Sequence, residues 1–129
     1  MEPAIELVSV ELLRHIEGHS SKRVDWLRNK IKNEGIWTKP IALDDAHHLV
    51  LDGQHRMEAA IALRLRHVPA VKYNYSQVIL WSLRPKYQFD WRKVVERSLA
   101  GEPYPYKTVK HEFPFPVPIC AIPIGELSK

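Results

Sequence analysis

The residues best suited to chemistry lie in one turn, residues 52–56, with the sequence Asp-Gly-Gln-His-Arg. An apolar run at residues 49–51 precedes the turn and predicts a buried strand, and an amphipathic helix follows it. Gly53 permits a tight turn, and the free backbone N–H groups at the start of a helix attract phosphate. The imidazole and the guanidinium add donors and positive charge. Since ligand sites in α/β proteins commonly lie where strands end, we interpret this turn as the active centre.

The composition is that of a globular protein with a hydrophobic core. The 129 residues suffice for one domain and are too few for two ordinary ones. The net charge of +4 and the pI near 9.3 fit binding of nucleic acid and of a small anion equally well. The single cysteine, Cys120, excludes an intramolecular disulfide. We see no secretion signal and no apolar run of membrane length, and we expect a cytoplasmic protein.

The pattern around the turn predicts strands that alternate with helices. Strands are expected at residues 5–10, 37–43, 49–51 and 68–73, helices at residues 55–63 and 89–99, an apolar stretch at 76–83 and an edge strand at 119–124. A further helix begins after Ser20 or Ser21 and ends at Gly35. The strands at 37–43 and 49–51 should form a hairpin. Residues 11–19 are predicted to be a polar connection, and the segment from residue 103, rich in proline, to be extended and loop-like.

Three stretches, taken in order, resemble the ParB/sulfiredoxin superfamily: residues 35–41 (GIWTKPI), 51–56 (LDGQHR) and 68–70 (VPA). They match a helix ending in glycine, a Pro-Ile strand, an Asp-Gly-x-His-Arg turn, a helix and a Val-Pro strand. The resemblance implies an α/β (α+β) fold with a mixed sheet, flanking helices and an extended proline-rich C-terminal tail. We expect residues 1–129 to form one domain, with the core in residues 5–75 and a helix and substrate-closing tail in residues 76–129.

Two branches of the superfamily fit the turn poorly. Sulfiredoxins need a cysteine there as the nucleophile of sulfinic-acid repair, whereas Cys120 lies in the tail. Chromosome-partitioning ParB proteins carry a Gly-Glu-Arg-Arg turn that helps to bind cytidine triphosphate, followed by a helix-turn-helix DNA-binding domain. Here His55 stands where the first arginine would be, and we expect the chain to end before such a domain could fit. Both activities are therefore disfavoured.

The resemblance to the free L-serine kinases, which convert the amino acid to O-phospho-L-serine with ATP or ADP, covers most of the chain. Residues 15–17 (HIE) are similar to their Pro-His-Glu segment, residues 81–85 (WSLRP) to their Ser-Trp-Arg-Pro stretch in a different order, and Gly101 with residues 105–111 (PYKTVKH) to their Gly…Pro-Pro-Lys-[Ser/Thr]-Thr-x-His signature. Tyr106 and Val109 differ from the residues that this signature has at their positions. Several matching motifs in the correct order arise by chance much less often than a single motif does.

This resemblance implies a role for each polar residue. Glu17 would be the base that takes the proton of the serine hydroxyl, and Asp52 would do that work instead or hold His55 or Mg²⁺ in place. The residues expected to contact the nucleotide phosphates are Gly53, Gln54, His55, Arg56, Lys107 and Thr108. The residues expected to contact the amino acid are Trp81, Thr108 and His111. We expect the protein to use ATP or ADP together with Mg²⁺ and to phosphorylate a small amino acid. A homodimer is one possible assembly.

Two other functions remain open. A ParB-like nucleotide-binding or DNA-associated regulator would use the same phosphate-binding turn without phosphotransfer, and salt-sensitive binding of duplex DNA would indicate it. A ParB-like nuclease would require a metal at Asp52, but no second carboxylate cluster is evident for a two-metal site. Nucleic acid is thus the less favoured partner. Ordinary interpretations also exist, with Glu17 as a solvated loop carboxylate and Trp81 as a core residue.

Overall fold

The structure is a computed structural model that describes residues 4–129, so the first three residues of the predicted domain lie outside the described part. Its strands are β1 (Ile5–Ser9), β2 (Arg14–His15), β3 (Ile36–Trp37), β4 (Ile41–Asp44), β5 (Leu49–Asp52), β6 (His67–Tyr73), β7 (Ile79–Ser82), β8 (Val109–Glu112) and β9 (Ile122–Pro123). Its α-helices are α1 (Ser21–Glu34), α2 (Gln54–Ala62), α3 (Trp91–Leu99) and α4 (Ile124–Leu127). Short 3₁₀ helices cover Val10–Leu12 and Tyr75–Gln77.

Five of these strands form a mixed sheet in the order β1-β6-β4-β5-β2. β1 and β6 are antiparallel, as are β4 and β5, whereas β4 is parallel to β6 and β2 is parallel to β5. The predicted mixed sheet and hairpin are therefore confirmed. The prediction of a polar connection at residues 11–19 is wrong in part, because Arg14–His15 form the edge strand β2. Two residues are too few to show the alternation that identifies a strand in sequence.

The central strands bury both of their faces, which fixes the position of the turn that follows β5. β4 is buried along its whole length, and β5 is buried at its first three residues. Because successive side chains point to opposite faces, Leu43 and Val50 pack in a core that includes residues of α1 and α2. Ala42 and Leu49 pack instead with residues of α3 and the C-terminal tail. The β5–α2 turn thus emerges between two packed layers.

Helix α1 begins and ends at the predicted signals. The Ser20 Oγ accepts the N–H of Arg23 at 3.3 Å, which caps the helix N-terminus. Gly35 adopts a φ of +70°, and its N–H donates to the carbonyl of Ile31 at 2.9 Å. No helix within residues 4–129 combines the length and the apolar character needed to cross a membrane.

The C-terminal tail is more regular than its proline content predicts. β8 pairs antiparallel with β7, so the expectation of a loop-like tail is wrong over Val109–Glu112. Prolines lie on both sides of β8 but not within it, which leaves its N–H groups free to pair. The predicted final edge strand is confirmed over Ile122–Pro123, which pairs with β3.

Candidate functional site

A cavity of about 510 Å³ lies between α1, the start of α2 and the C-terminal tail. It is lined by the whole β5–α2 turn, residues 52–56, and by Glu17. Lys107 and His111 line it from the tail. Residues that lie far apart in sequence, including most of those singled out above, therefore meet at one site large enough for a small ligand.

The backbone of the turn offers free hydrogen-bond donors to this cavity. Gly53 caps α2 with a φ of +120°, a conformation that glycine tolerates readily. Its carbonyl accepts the N–H of Met57 at 2.8 Å, which is the first hydrogen bond of the helix. The N–H groups of residues 54–56 precede that bond and have no partner within the helix. They lie at the positive end of the helix dipole, where an anion is stabilised.

Replacing Gly53 with alanine should destabilise the fold by about 2 kcal/mol, through backbone strain and a close contact. A Cβ at this position would lie 3.1 Å from Cγ1 and 3.3 Å from Cγ2 of the buried Ile41. Urea unfolding measures the change. Gly101→Ala is the matched control, because Gly101 has a φ of +75° but no atom within 4 Å of its added Cβ. Equal losses in the two variants would contradict a role for the Ile41 contact.

Arg56 is a buried cation with an unsatisfied donor. Its Nη2 lies 3.7 Å from Oδ2 of Asp52, and its side chain is 12% exposed. Its Nη1 is buried and has no hydrogen-bond partner among the described residues. Burial lowers the pKa of Arg56, while Asp52 acts in the opposite direction. An anionic ligand at the turn would supply the acceptor that this guanidinium lacks.

His55 presents a neutral ring to the cavity. Its Nε2 accepts the N–H of Ser20 at 3.0 Å, so the proton of the neutral imidazole is on Nδ1. Burial lowers the pKa of His55, and the nearby Arg23 and other positive groups lower it further. The ring also packs edge-on against Tyr106, with the centroids 5.3 Å apart. His55 is therefore held as a hydrogen-bond donor rather than as a cation.

Gln54 supports the turn and does not offer its side chain to a ligand. Its Nε2 donates to the carbonyl of Val50, and its Oε1 lies 2.5 Å from Nδ1 of His15. The other ring nitrogen of His15 lies 2.8 Å from Oε2 of Glu58 on α2. Of the predicted phosphate contacts of Gln54, only the one through its backbone N–H fits this geometry.

Glu17 is anchored to the C-terminal tail. Its Oε2 accepts the N–H of Thr108 at 2.7 Å and that of Val109 at 3.5 Å. Burial raises the pKa of Glu17, and the hydrogen bonds from the Thr108, Val109 and Lys107 amides partly offset that effect. Lys107 has a φ of +60°, which helps three successive amides converge on one carboxylate. Glu17 is therefore a half-buried and oriented carboxylate rather than a fully solvated loop residue.

Thr108 and Trp81 do not line the cavity. The Thr108 side chain is fully buried, and its hydroxyl donates to the carbonyl of Pro105 at 2.6 Å. Trp81 is 44% exposed on β7, and Leu83 lines the cavity from this segment instead. Neither side chain therefore lies where the predicted contacts would need it, because the Thr108 hydroxyl is bonded to the Pro105 carbonyl and Trp81 lies with Ile79 on the more exposed face of β7.

His111 does line the cavity, as a neutral ring. Its Nε2 lies 2.8 Å from the hydroxyl of Tyr75. Burial lowers the pKa of His111 to about 4, although Asp52 and the Leu51 backbone act in the opposite direction. Burial also raises the pKa of Tyr75, so its hydroxyl stays protonated. The pair forms a fixed polar wall of the cavity.

Acid should destabilise the protein through His111. An unfolded imidazole binds a proton near pH 6.5, whereas folded His111 does so near pH 4. Between these values the unfolded state holds the extra proton, so the free energy of unfolding falls as the pH falls from 6.5 towards 4. His111→Gln should flatten this dependence in urea unfolding measured at several pH values. An identical slope in both proteins would contradict it.

Several lining residues were not anticipated from the sequence. On α1 they are Arg23, Trp26 and Lys30, which recur at helical spacing beside the core residues Leu27 and Ile31. On the β3–β4 connection and in the tail they are Thr38, Lys39, Tyr106 and Lys110. The spacing of Arg23, Trp26 and Lys30 in the sequence indicates that these three side chains share one face of α1, but only the fold shows that this face is open to a cavity.

Comparisons with known proteins identify the fold. No protein-family model and no curated protein matches the sequence. A solved free serine kinase in complex with AMP matches with a TM-score of 0.88 at 13% identity, over 98% of this chain and 95% of that chain. A conserved hypothetical protein from Pyrococcus furiosus matches with a TM-score of 0.88 at 11% identity, over 98% of both chains.

A third solved structure, SbnI with a C-terminal truncation from Staphylococcus aureus, has a TM-score of 0.86 at 13% identity, over 97% of this chain and 89% of that chain. At these identities the matches establish the fold. The chain has the fold of the solved free serine kinase, and the predicted small α/β fold with a mixed sheet and flanking helices is confirmed.

Proposed function

We propose that this protein is a nucleotide-dependent kinase that phosphorylates the hydroxyl of free L-serine, or of a closely related small amino acid. The observation that carries the proposal is that a half-buried carboxylate with a raised pKa, Glu17, shares one cavity with the free N–H groups of the β5–α2 turn. Transfer of a phosphoryl group to an alcohol requires a base and a phosphate-binding site within one cavity. The fold shared with a free serine kinase, solved with AMP, adds support.

Glu17 acts as the general base. Its Oε2 is bonded to the tail amides, which leaves Oε1 to accept the proton of the substrate hydroxyl. As this proton moves to Glu17, the hydroxyl oxygen forms a bond to the terminal phosphorus, and the bond from that phosphorus to the bridging oxygen of the nucleotide breaks. A carboxylate with a raised pKa is a stronger base than an ordinary one.

The turn holds the transferred phosphoryl group. The N–H groups of residues 54–56, the buried Arg56 and the Nδ1–H of His55 supply donors without a large rearrangement. Lys107 adds a cation from the tail, and Lys110 remains for the carboxylate of the amino acid. The tail, residues 76–129, then closes the site of a single domain.

Asp52 is the residue that would hold Mg²⁺. Within residues 4–129 no group of three or more His, Cys, Asp or Glu side chains could hold a metal ion by itself. One carboxylate fits Mg²⁺ nevertheless, because that ion commonly uses one or two carboxylates together with substrate phosphates and water. The ion would neutralise charge on the phosphates, and Asp52 lines the cavity beside Arg56.

A panel of amino acids tests the proposal. The purified protein is incubated with ATP or ADP, Mg²⁺ and serine, threonine, homoserine or alanine, and nucleotide turnover is followed by chromatography. We expect turnover with serine and none with alanine, which lacks the hydroxyl. Turnover that is equal with alanine and serine would contradict the proposal. Nucleotide binding with no turnover on any acceptor would favour a regulatory nucleotide-binding module.

A further inference from the structure

We propose that Trp26 is the platform on which the base of the bound nucleotide stacks. The inference rests on the proposed function, because it assumes a nucleotide whose phosphates lie at the β5–α2 turn. Trp26 is 59% exposed although it lines the cavity. A large aromatic side chain that is open towards a cavity rather than packed in the core is well suited to contact a ligand.

The direction of α1 places Trp26 at the correct distance from the phosphates. The N-terminus of this helix abuts the turn, since the N–H of Ser20 donates to His55 at 3.0 Å. With a rise of about 1.5 Å per residue, Trp26 lies roughly 9 Å further along the helix axis than Ser20. The ribose separates the phosphates of a nucleotide from its base by a comparable span, so a nucleotide with its phosphates at the turn brings its base to Trp26.

The charges around Trp26 suit a nucleotide better than an uncharged ligand. Arg23 lines the cavity one helical turn closer than Trp26 to the phosphate-binding β5–α2 turn, and its positive charge contributes to the lowered pKa of both His55 and Arg56. Lys30 lies one turn beyond Trp26, where Glu34 binds its Nζ at 3.1 Å. A cation on the phosphate side and a neutralised pair on the far side match a ligand that is anionic at one end and aromatic at the other.

The β3–β4 connection offers polar groups to the same cavity, and these could recognise the polar edge of the base. Thr38 and Lys39 line the cavity from the β3–β4 connection. The buried Trp37 holds this connection in place, because its Nε1 donates to the carbonyl of Lys39 at 2.7 Å. The hydroxyl of Thr38 supplies a donor and an acceptor within the cavity that Trp26 also lines.

Calorimetric titrations with ADP and with pyrophosphate distinguish the contribution of the nucleotide base to binding from that of the phosphates. We expect Trp26→Ala to weaken ADP binding about tenfold and to leave pyrophosphate binding unchanged, because stacking on an aromatic side chain contributes about 1–3 kcal/mol per base. Trp26→Phe should bind ADP nearly as well as the original protein but lose part of the tryptophan quenching caused by ADP. Ile79→Ala, which removes another exposed apolar side chain outside the cavity, is the control.

The outcomes distinguish this inference from the proposed function. If Trp26→Ala weakens the binding of ADP and of pyrophosphate equally, or leaves both affinities unchanged, the stacking role is wrong. The proposed phosphorylation of serine can still be correct in that case. If ADP binding depends on Trp26 but no phosphoserine forms, the platform stands and the kinase proposal fails. Absence of any ADP binding by the original protein would overturn both.

Discussion

Replacing Glu17 by glutamine is expected to lower the rate of phosphoserine formation by about a hundredfold to ten-thousandfold, the usual contribution of a general base. Glutamine preserves the shape of the side chain and can still accept the N–H of Thr108, which lies 2.7 Å from the carboxylate. The fold and nucleotide affinity should therefore change little, and only proton acceptance is lost. A kinetic assay of phosphoserine, with ADP affinity measured in parallel, tests this expectation.

Two comparisons make the Glu17 result specific. Glu112→Gln removes an exposed carboxylate at the end of β8 that does not line the cavity, and it should leave the rate unchanged. Because burial raises the pKa of Glu17, the rate for the original protein should fall with decreasing pH at a midpoint above 4.5, the ordinary value for glutamate. A Glu17→Gln protein with more than a third of the original rate would exclude Glu17 as the base.

Replacing Arg56 by methionine should weaken nucleotide binding by about a hundredfold, since hydrogen bonds to charged groups contribute about 1.5–3 kcal/mol. Binding should weaken while stability does not fall, which is an unusual combination. The Nη1 of Arg56 is buried and has no partner within residues 4–129, so an apolar side chain of similar length removes an unsatisfied donor from the free protein. Calorimetry with ADP and urea unfolding measure the two effects.

Arg66→Met provides the matched control for Arg56, because Arg66 is exposed and does not line the cavity. It should alter neither ADP affinity nor stability. If Arg56→Met destabilises the free protein by several kcal/mol and retains ADP affinity, the guanidinium is a structural element paired with Asp52. Arg56→Lys retains the charge but lacks the planar fork, and an intermediate affinity is expected.

The parts of the fold that could be predicted from sequence are those set by local chemistry. Gly35 and Gly53 adopt positive φ values, and Ser20 caps α1, because glycine and serine have these preferences irrespective of the rest of the fold. The hairpin of β4 and β5 followed from apolar runs on either side of a polar turn. β2 and β8 were missed, because short strands owe their pairing to partners elsewhere in the chain.

The site was predictable to the extent that its residue types fix their roles. The β5–α2 turn could be identified because phosphate binding requires glycine, free N–H groups and positive charge close together in sequence. Gln54 and Thr108 could not be excluded, since their side chains are occupied by His15, Val50 and the Pro105 carbonyl, which only the fold brings near. Trp26 was not singled out because exposure of a helical tryptophan is a tertiary property.

The most direct test of the account is ³¹P NMR of the protein with L-serine, Mg²⁺ and either ATP or ADP, recorded beside the Glu17→Gln variant. The account predicts a phosphoserine resonance that grows with the original protein and is absent with the variant, while both proteins perturb the nucleotide signals equally. If the nucleotide signals are perturbed and no phosphoserine appears with the original protein, the site binds nucleotide without transferring phosphate, and the kinase proposal is contradicted.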